Sequence, residues 1–151
     1  MHNFTIRFAT EDDCGLILHF IKGIAEYEKL SDQVVATEDK IKTHLFGPKA
    51  VAECFLAFEN STPVGFALFF HNYSTFVSKP GIYLEDLFIE PAFRGKGYGK
   101  KLLLHLVQTA RERDCGRVEW SVLDWNQPAI DFYKSLGAVA MDEWTVFRIT
   151  L

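Results

Sequence analysis

The segment that decides the fold is "GIYLEDLFIEPAFRGKGYGKKLLLHL", Gly81–Leu106. It opens with an apolar run suited to a strand and stops at Pro91, which has no N–H to give to a ladder. Gly95, Gly97 and Gly99 follow, and then Leu102, Leu103, Leu106, Val107 and Ala110 mark one face of a helix that closes near Gly116. In a strand, flexible loop and helix in that order, the first free N–H groups of the helix point at an anion. The glycines permit close approach and positive φ, while Arg94, Lys96, Lys100 and Lys101 supply charge nearby. Two better-known phosphate loops do not fit. A Walker A loop needs Ser or Thr after its lysine, and here Lys100 is followed by Lys101. A Rossmann fingerprint spaces its glycines GxGxxG near the start of a βαβ unit, whereas this spacing is GxGxG after a hairpin. What remains is a pyrophosphate cradle, or more plainly a glycine-rich turn with solvated lysines.

The flanking sequence has the same mixed character. "NFTIRFA" alternates as a strand, and Thr10 with Asp13 forms a capping-box-like start for a helix to about Leu30. Thr37 caps and Gly47 stops a short second helix. "AECFLAFE" and "PVGFALFFHNY" read as a hairpin turning at Asn60 to Pro63. Beyond the decisive segment come a strand in "RVEWSVL", a helix capped by Asn126 and stopped at Gly137, and a last strand in "WTVFRITL". No internal repeat or linker interrupts the chain. One domain over residues 1–151 is expected, of class α/β (α+β), with one sheet flanked by helices.

Composition narrows the function. Nearly half of the residues are apolar and 15% are aromatic, enough for a packed core. A net charge of −4 argues against a general nucleic-acid binder. Cys14, Cys54 and Cys115 form no CxxC pair and no metal-ligand spacing with the histidines, so reduced, mostly buried thiols and no metal are expected. Neither a leader peptide nor a membrane-spanning run is seen, which makes the cytoplasm the expected location and a membrane partner unexpected.

The motif R-x-x-G-x-G at Arg94, Gly97 and Gly99 resembles the acetyl-coenzyme A loop of the GCN5-related N-acetyltransferases. "IRFATEDDCGLIL", "EYEKLSDQV", "YLEDLFI", "VLDWNQPAIDFYKSLGA" and "EW…FRI" are similar, in order along the whole chain, to blocks of the diamine acetyltransferase family. "YEKLSDQV", "NYSTF" and "VLDWNQ" resemble its thialysine Nε-acetyltransferase branch more than its spermidine/spermine branch. The polyamine branch typically carries Asp-Pro-Trp where this chain has Ser74-Thr75-Phe76, and Phe76 stands where the thialysine branch usually has tryptophan. The fold implied is that of the family, a central mixed, mostly antiparallel sheet between helices. The co-substrate implied is acetyl-coenzyme A, and relatives are homodimers.

The resemblance also implies site residues. Arg94, Gly95, Lys96, Gly97, Tyr98, Gly99 and Lys100 would hold the cofactor, while the backbone of Leu87, Phe88 and Ile89 would pair with its pantetheine arm like an added strand. Asn126 could cap its helix and also bond that arm. A lysine-like amine, of pKa near 10.4, arrives protonated, and holding it neutral at pH 7.4 costs roughly 4 kcal/mol unless a base assists. Glu85 is the candidate base, with Asp86 the adjacent alternative; strand alternation predicts that only one of them lines the cleft. Tyr133 matches the family's catalytic acid, which protonates the leaving thiolate and also contacts the cofactor. Tyr27 and Glu28 match amine-contacting positions, while Ser74, Phe76 and Asp142, the last beside Glu143, are further substrate candidates. The expected activity is direct acetyl transfer, in a ternary complex, to a small primary amine such as thialysine, a lysine-like compound or a diamine. A polyamine, peptide or antibiotic acceptor, or a non-catalytic acetyl-coenzyme A-binding regulator, is the alternative.

Overall fold

The structure, a computed structural model, describes residues 3–151 and divides into two compact units, the first ending at Ser121 and the second comprising Val122–Leu151. In the first unit β1 (Phe4–Phe8), β2 (Glu53–Glu59), β3 (Thr62–Ser74) and β4 (Lys79–Ile89) form an antiparallel meander. A short β5 (Val118–Trp120) joins β4 in parallel, so the sheet order is β1-β2-β3-β4-β5. The mixed, mostly antiparallel sheet expected from the sequence is therefore present. The helices of this unit are α1 (Cys14–Tyr27), α2 (Glu38–Ile41), which continues as a π turn over Lys42–Phe46, and α3 (Tyr98–Glu112).

Alternation along β2 explains why both faces of the sheet are apolar. Leu56 joins Phe66, Phe88 and the α1 side chains Ile17 and Phe20 in one buried cluster. Its neighbour Phe55 points the other way, stacks on Phe69 and meets the edge of His105 from α3. Leu102, Leu103 and Leu106, the stripe read from sequence, are all buried. The Asp13 carboxylate accepts from the Thr10 N–H at 2.7 Å and from Arg7 at 2.8 Å; the Arg7 bond is the first reason its pKa falls to about 2. The other end of α1 has no glycine: Lys29 itself takes φ +62°, and the Leu30 N–H returns to the Ala25 carbonyl.

In the second unit α4 (Gln127–Ser135) starts at Asn126, whose side-chain oxygen accepts from the Ala129 N–H at 3.3 Å, and ends before Gly137 at φ +90°. The expected last strand is not formed: residues 144–151 have no regular structure, and Trp144, Val146, Phe147 and Ile149 are exposed. Alternation makes "WTVFRITL" suited to a strand, but a strand also needs a neighbour for its ladder, and among the described residues none pairs with it. The strand expected in "RVEWSVL" likewise shrinks to the three residues that find partners on β4. All three cysteines are free, Cys14 and Cys54 buried and Cys115 partly so. No helix among the described residues is long and apolar enough to cross a membrane.

Candidate active site

The site begins with an irregularity in β4. Leu68 pairs with Asp86 and Phe69 with Leu84, so Glu85 is an extra residue without a partner on β3. Pairing with β5 covers only Ile82–Leu84 and stops at the same point. From Glu85 to Ile89 the strand is thus laddered on one side alone. The Glu90 N–H bonds back to Val64, so alternation turns the peptide groups of Leu87 and Ile89 away from β3, where an extended ligand arm would find them. One of these acceptors already has a partner, since Arg94 Nε donates to the Ile89 carbonyl at 2.8 Å.

The strand leads through a short turn (Pro91–Phe93) into the glycine loop. Gly95 and Gly97 take φ of +81° and +80°, values open to glycine and strained for other residues, and a Cβ built on either would meet nothing within 4 Å. Gly97 is the N-cap of α3, and with no side chain to give it makes no capping bond. Open backbone, a bare helix start and the exposed Lys100 lie together, with open space above the glycines, an arrangement that suits an anion.

Beside the bulge lies an acidic group. Asp86 has its pKa raised from 3.8 to about 7, first by burial and then by the charges of Glu85 and Glu28. Glu28, at the end of α1, is raised too, by burial first and then by Glu85. The exposed Glu85 and the nearby Glu28 thus act on the half-buried Asp86 through their charges. An adjoining cleft of about 410 Å³ is lined by His19, Gly23, Tyr27, Phe88, Glu90 and Arg94. The Arg94 guanidinium lies 4.8 Å from the Tyr27 ring centre and 5.4 Å from that of Phe88. Tyr27, expected at the amine, and Arg94, expected at the cofactor, are thus neighbours.

Other candidates lie elsewhere. Ser74 sits at the end of the β3–β4 hairpin, where its hydroxyl accepts from the Val77 N–H and from Arg117. Ser74 pairs with Lys79, roughly 20 Å along β4 from Glu85 at ~3.3 Å per residue, and Phe76 at the tip is 85% exposed. The first unit therefore does not bring Ser74 and Phe76 to Glu85. In the second unit Tyr133 is partly buried on α4 beside the Phe132 ring, Asn126 performs its capping role, and Asp142 and Glu143 are exposed in a turn closed by Trp144 N–H on the Met141 carbonyl. Sequence reading passed over Glu59, whose buried carboxylate bonds to the glycine loop; a lone acid at a strand end gives no signal of that contact. Among the described residues no His, Cys, Asp and Glu side chains gather in a group fit to hold a metal ion.

The chain is similar to known proteins. Residues 22–138 match the Acetyltransferase (GNAT) family. A thialysine N-epsilon-acetyltransferase of Bos taurus is 40% identical, the match covering 95% of this chain and 90% of the relative. An L-ornithine N5-acetyltransferase of Arabidopsis thaliana is 32% identical, over 96% and 83%. An aminoglycoside acetyltransferase structure from an uncultured soil sample superposes with a TM-score of 0.81, covering 98% of this chain and 96% of its own at 20% identity, and so shares the fold. A bulged strand, a glycine loop that starts a helix and a family match over most of the length agree: the chain belongs to the acetyltransferase (GNAT) family and is an N-acetyltransferase.

Proposed function

We propose that this single-domain protein transfers acetyl from acetyl-coenzyme A to the primary amine of a small molecule, a thialysine-like or lysine-like amine or a diamine. The observation that carries the reading is the junction at Glu85, where one strand leaves β5, presents peptide groups turned away from β3, and has Glu85 and Glu28 close enough to raise the Asp86 pKa, just before the glycine loop in the chain. The names of two relatives, for thialysine and for L-ornithine, support acceptors that end in a free amine on a short chain.

The residues present fit acetyl-coenzyme A. The space above Gly95 and Gly97 accommodates a pyrophosphate, and the outward peptide groups of β4 suit a pantetheine arm. When bound, the co-substrate supplies an acetyl group activated as a thioester. Glu28 and Tyr27 attract and seat the ammonium, and Glu85 takes its proton through a water molecule so that the nitrogen has a free lone pair. A carbon–nitrogen bond forms as the carbon–sulfur bond breaks. Tyr133 would give its phenolic proton to the departing sulfur and recover one from the newly acetylated nitrogen, and Asn126 keeps the start of α4 ordered while bonding the pantetheine arm. No covalent acetyl-enzyme is part of this reading: burial raises the pKa of Cys14, Cys54 and Cys115, the opposite of an activated nucleophile. Three free thiols suit a reducing compartment, and we place the protein in the cytoplasm. We also propose a homodimer, for which exposed apolar side chains such as Val35, Tyr73 and Phe76 offer surface to cover.

Thiol release from acetyl-coenzyme A, measured with thialysine, lysine, ornithine, putrescine, spermidine and spermine, tests the proposal through kcat/KM for each. The short amines are expected to lead. Preference for spermidine or spermine would move the acceptor to the polyamines, and coenzyme A binding without turnover of any amine would leave a binding protein.

A further inference from the structure

Two side chains of the glycine segment turn back to one buried acid. Glu59, the last residue of β2, is 7% exposed. It accepts from Lys96 Nζ at 2.9 Å and from the Tyr98 hydroxyl at 2.5 Å. Lys96 lies between Gly95 and Gly97, the two loop residues with positive φ, and Tyr98 is the first residue of α3. The Tyr98 ring is buried and stacks on Phe4 of β1 with centres 4.3 Å apart. The middle of the glycine loop and the first residue of α3 are thereby tied to the β1–β2 edge of the sheet.

An acid beside an anion site is at first sight unfavourable. Its charge here faces the Lys96 ammonium and the Tyr98 hydroxyl, and the bond to Glu59 is the first cause that raises the Tyr98 pKa, which keeps the phenol a donor. The Lys96 ammonium is then engaged in holding the loop, and attraction for the ligand falls to the backbone N–H groups, Lys100 and Lys101. A glycine loop without such ties samples many shapes, and its apparent affinity drops in proportion to the fraction of time it has the right one.

We propose that Glu59 is a positioning residue of the cofactor cradle, its buried carboxylate holding Lys96 and Tyr98 so that the glycine loop and the first turn of α3 keep a ligand-ready shape. This rests on the reading that the loop receives the pyrophosphate of coenzyme A.

The test is calorimetric binding of coenzyme A to the full chain and to Glu59→Ala, Glu59→Gln and Tyr98→Phe, with turnover of acetyl-coenzyme A and acetylpantetheine alongside. Acetylpantetheine lacks the pyrophosphate and so does not use the loop. Glu59→Ala is expected to raise the Kd for coenzyme A about tenfold, the effect of a lost charge-assisted anchor. Glu59→Gln, which keeps one acceptor, and Tyr98→Phe, which keeps the ring, are expected to raise it less. The KM for acetyl-coenzyme A should follow, while kcat/KM for acetylpantetheine stays within about twofold in the two Glu59 variants, a split that general destabilisation would not produce. Tighter coenzyme A binding in both Glu59 variants would mean that the acid acts only by repelling phosphate, and would overturn the proposal. Unchanged binding in the variants, with wild type binding normally, would overturn it as well. If wild type does not bind coenzyme A, both this proposal and the reading beneath it fall. Should Glu59→Ala not fold, the other two variants decide in the same way.

Discussion

Replacing Asp86 by asparagine should change how stability depends on pH. The Asp86 carboxyl is raised from 3.8 to about 7 by burial, with Glu85 and Glu28 adding to the effect. The folded protein thus keeps a proton that the unfolded chain has released between those two values. The stability associated with Asp86 is fully present below pH 4, is lost as pH rises, and is flat above the folded pKa. A shift of about three units is worth about 4 kcal/mol over the whole window at ~1.36 kcal/mol per unit, of which about 2.5 kcal/mol falls between pH 5 and pH 8. Asparagine has no proton to lose. Urea unfolding of both proteins across that range, followed by circular dichroism, should show the stability difference moving in favour of Asp86→Asn by about that amount as pH rises. A lost hydrogen bond would shift the whole curve without changing its slope. Curves that stay parallel from pH 5 to pH 8 would refute the claim that Asp86 titrates in a shared acidic field.

Other outcomes concern the site more directly. Glu85→Gln should lower kcat/KM by about 10²–10⁴ without an equal change in coenzyme A affinity. For Tyr133→Phe we expect a fall in kcat of about 10² or more with coenzyme A binding within about twofold; near wild-type turnover would remove Tyr133 from the role of acid. Gly97→Ala forces a Cβ at φ +80° and into the open space of the cradle, so it should cost about 1–2 kcal/mol of stability in thermal melts and weaken coenzyme A binding severalfold.

Much of this protein is legible along the chain because the signals are local. The apolar stripe of α3 follows from helical spacing, the start of α4 from an asparagine that can accept a backbone hydrogen bond, and the open cradle from glycines that alone take φ near +80° without strain. The family resemblance is carried by such short motifs in their order. What the chain does not reveal depends on pairing between distant residues. β4 carries one extra residue relative to β3, at Glu85, which no periodicity announces. The union of Glu59 with Lys96 and Tyr98 spans 37 and 39 positions and arises because the end of β2 lies beside the start of α3. "WTVFRITL" has the pattern of a strand without the neighbour that would make it one. Sequence by itself determined the class, most of the elements and the family resemblance. Tertiary structure alone decided which carboxylates share a field and which atoms hold the loop, because these depend on ladder register and burial, properties of the assembled sheet.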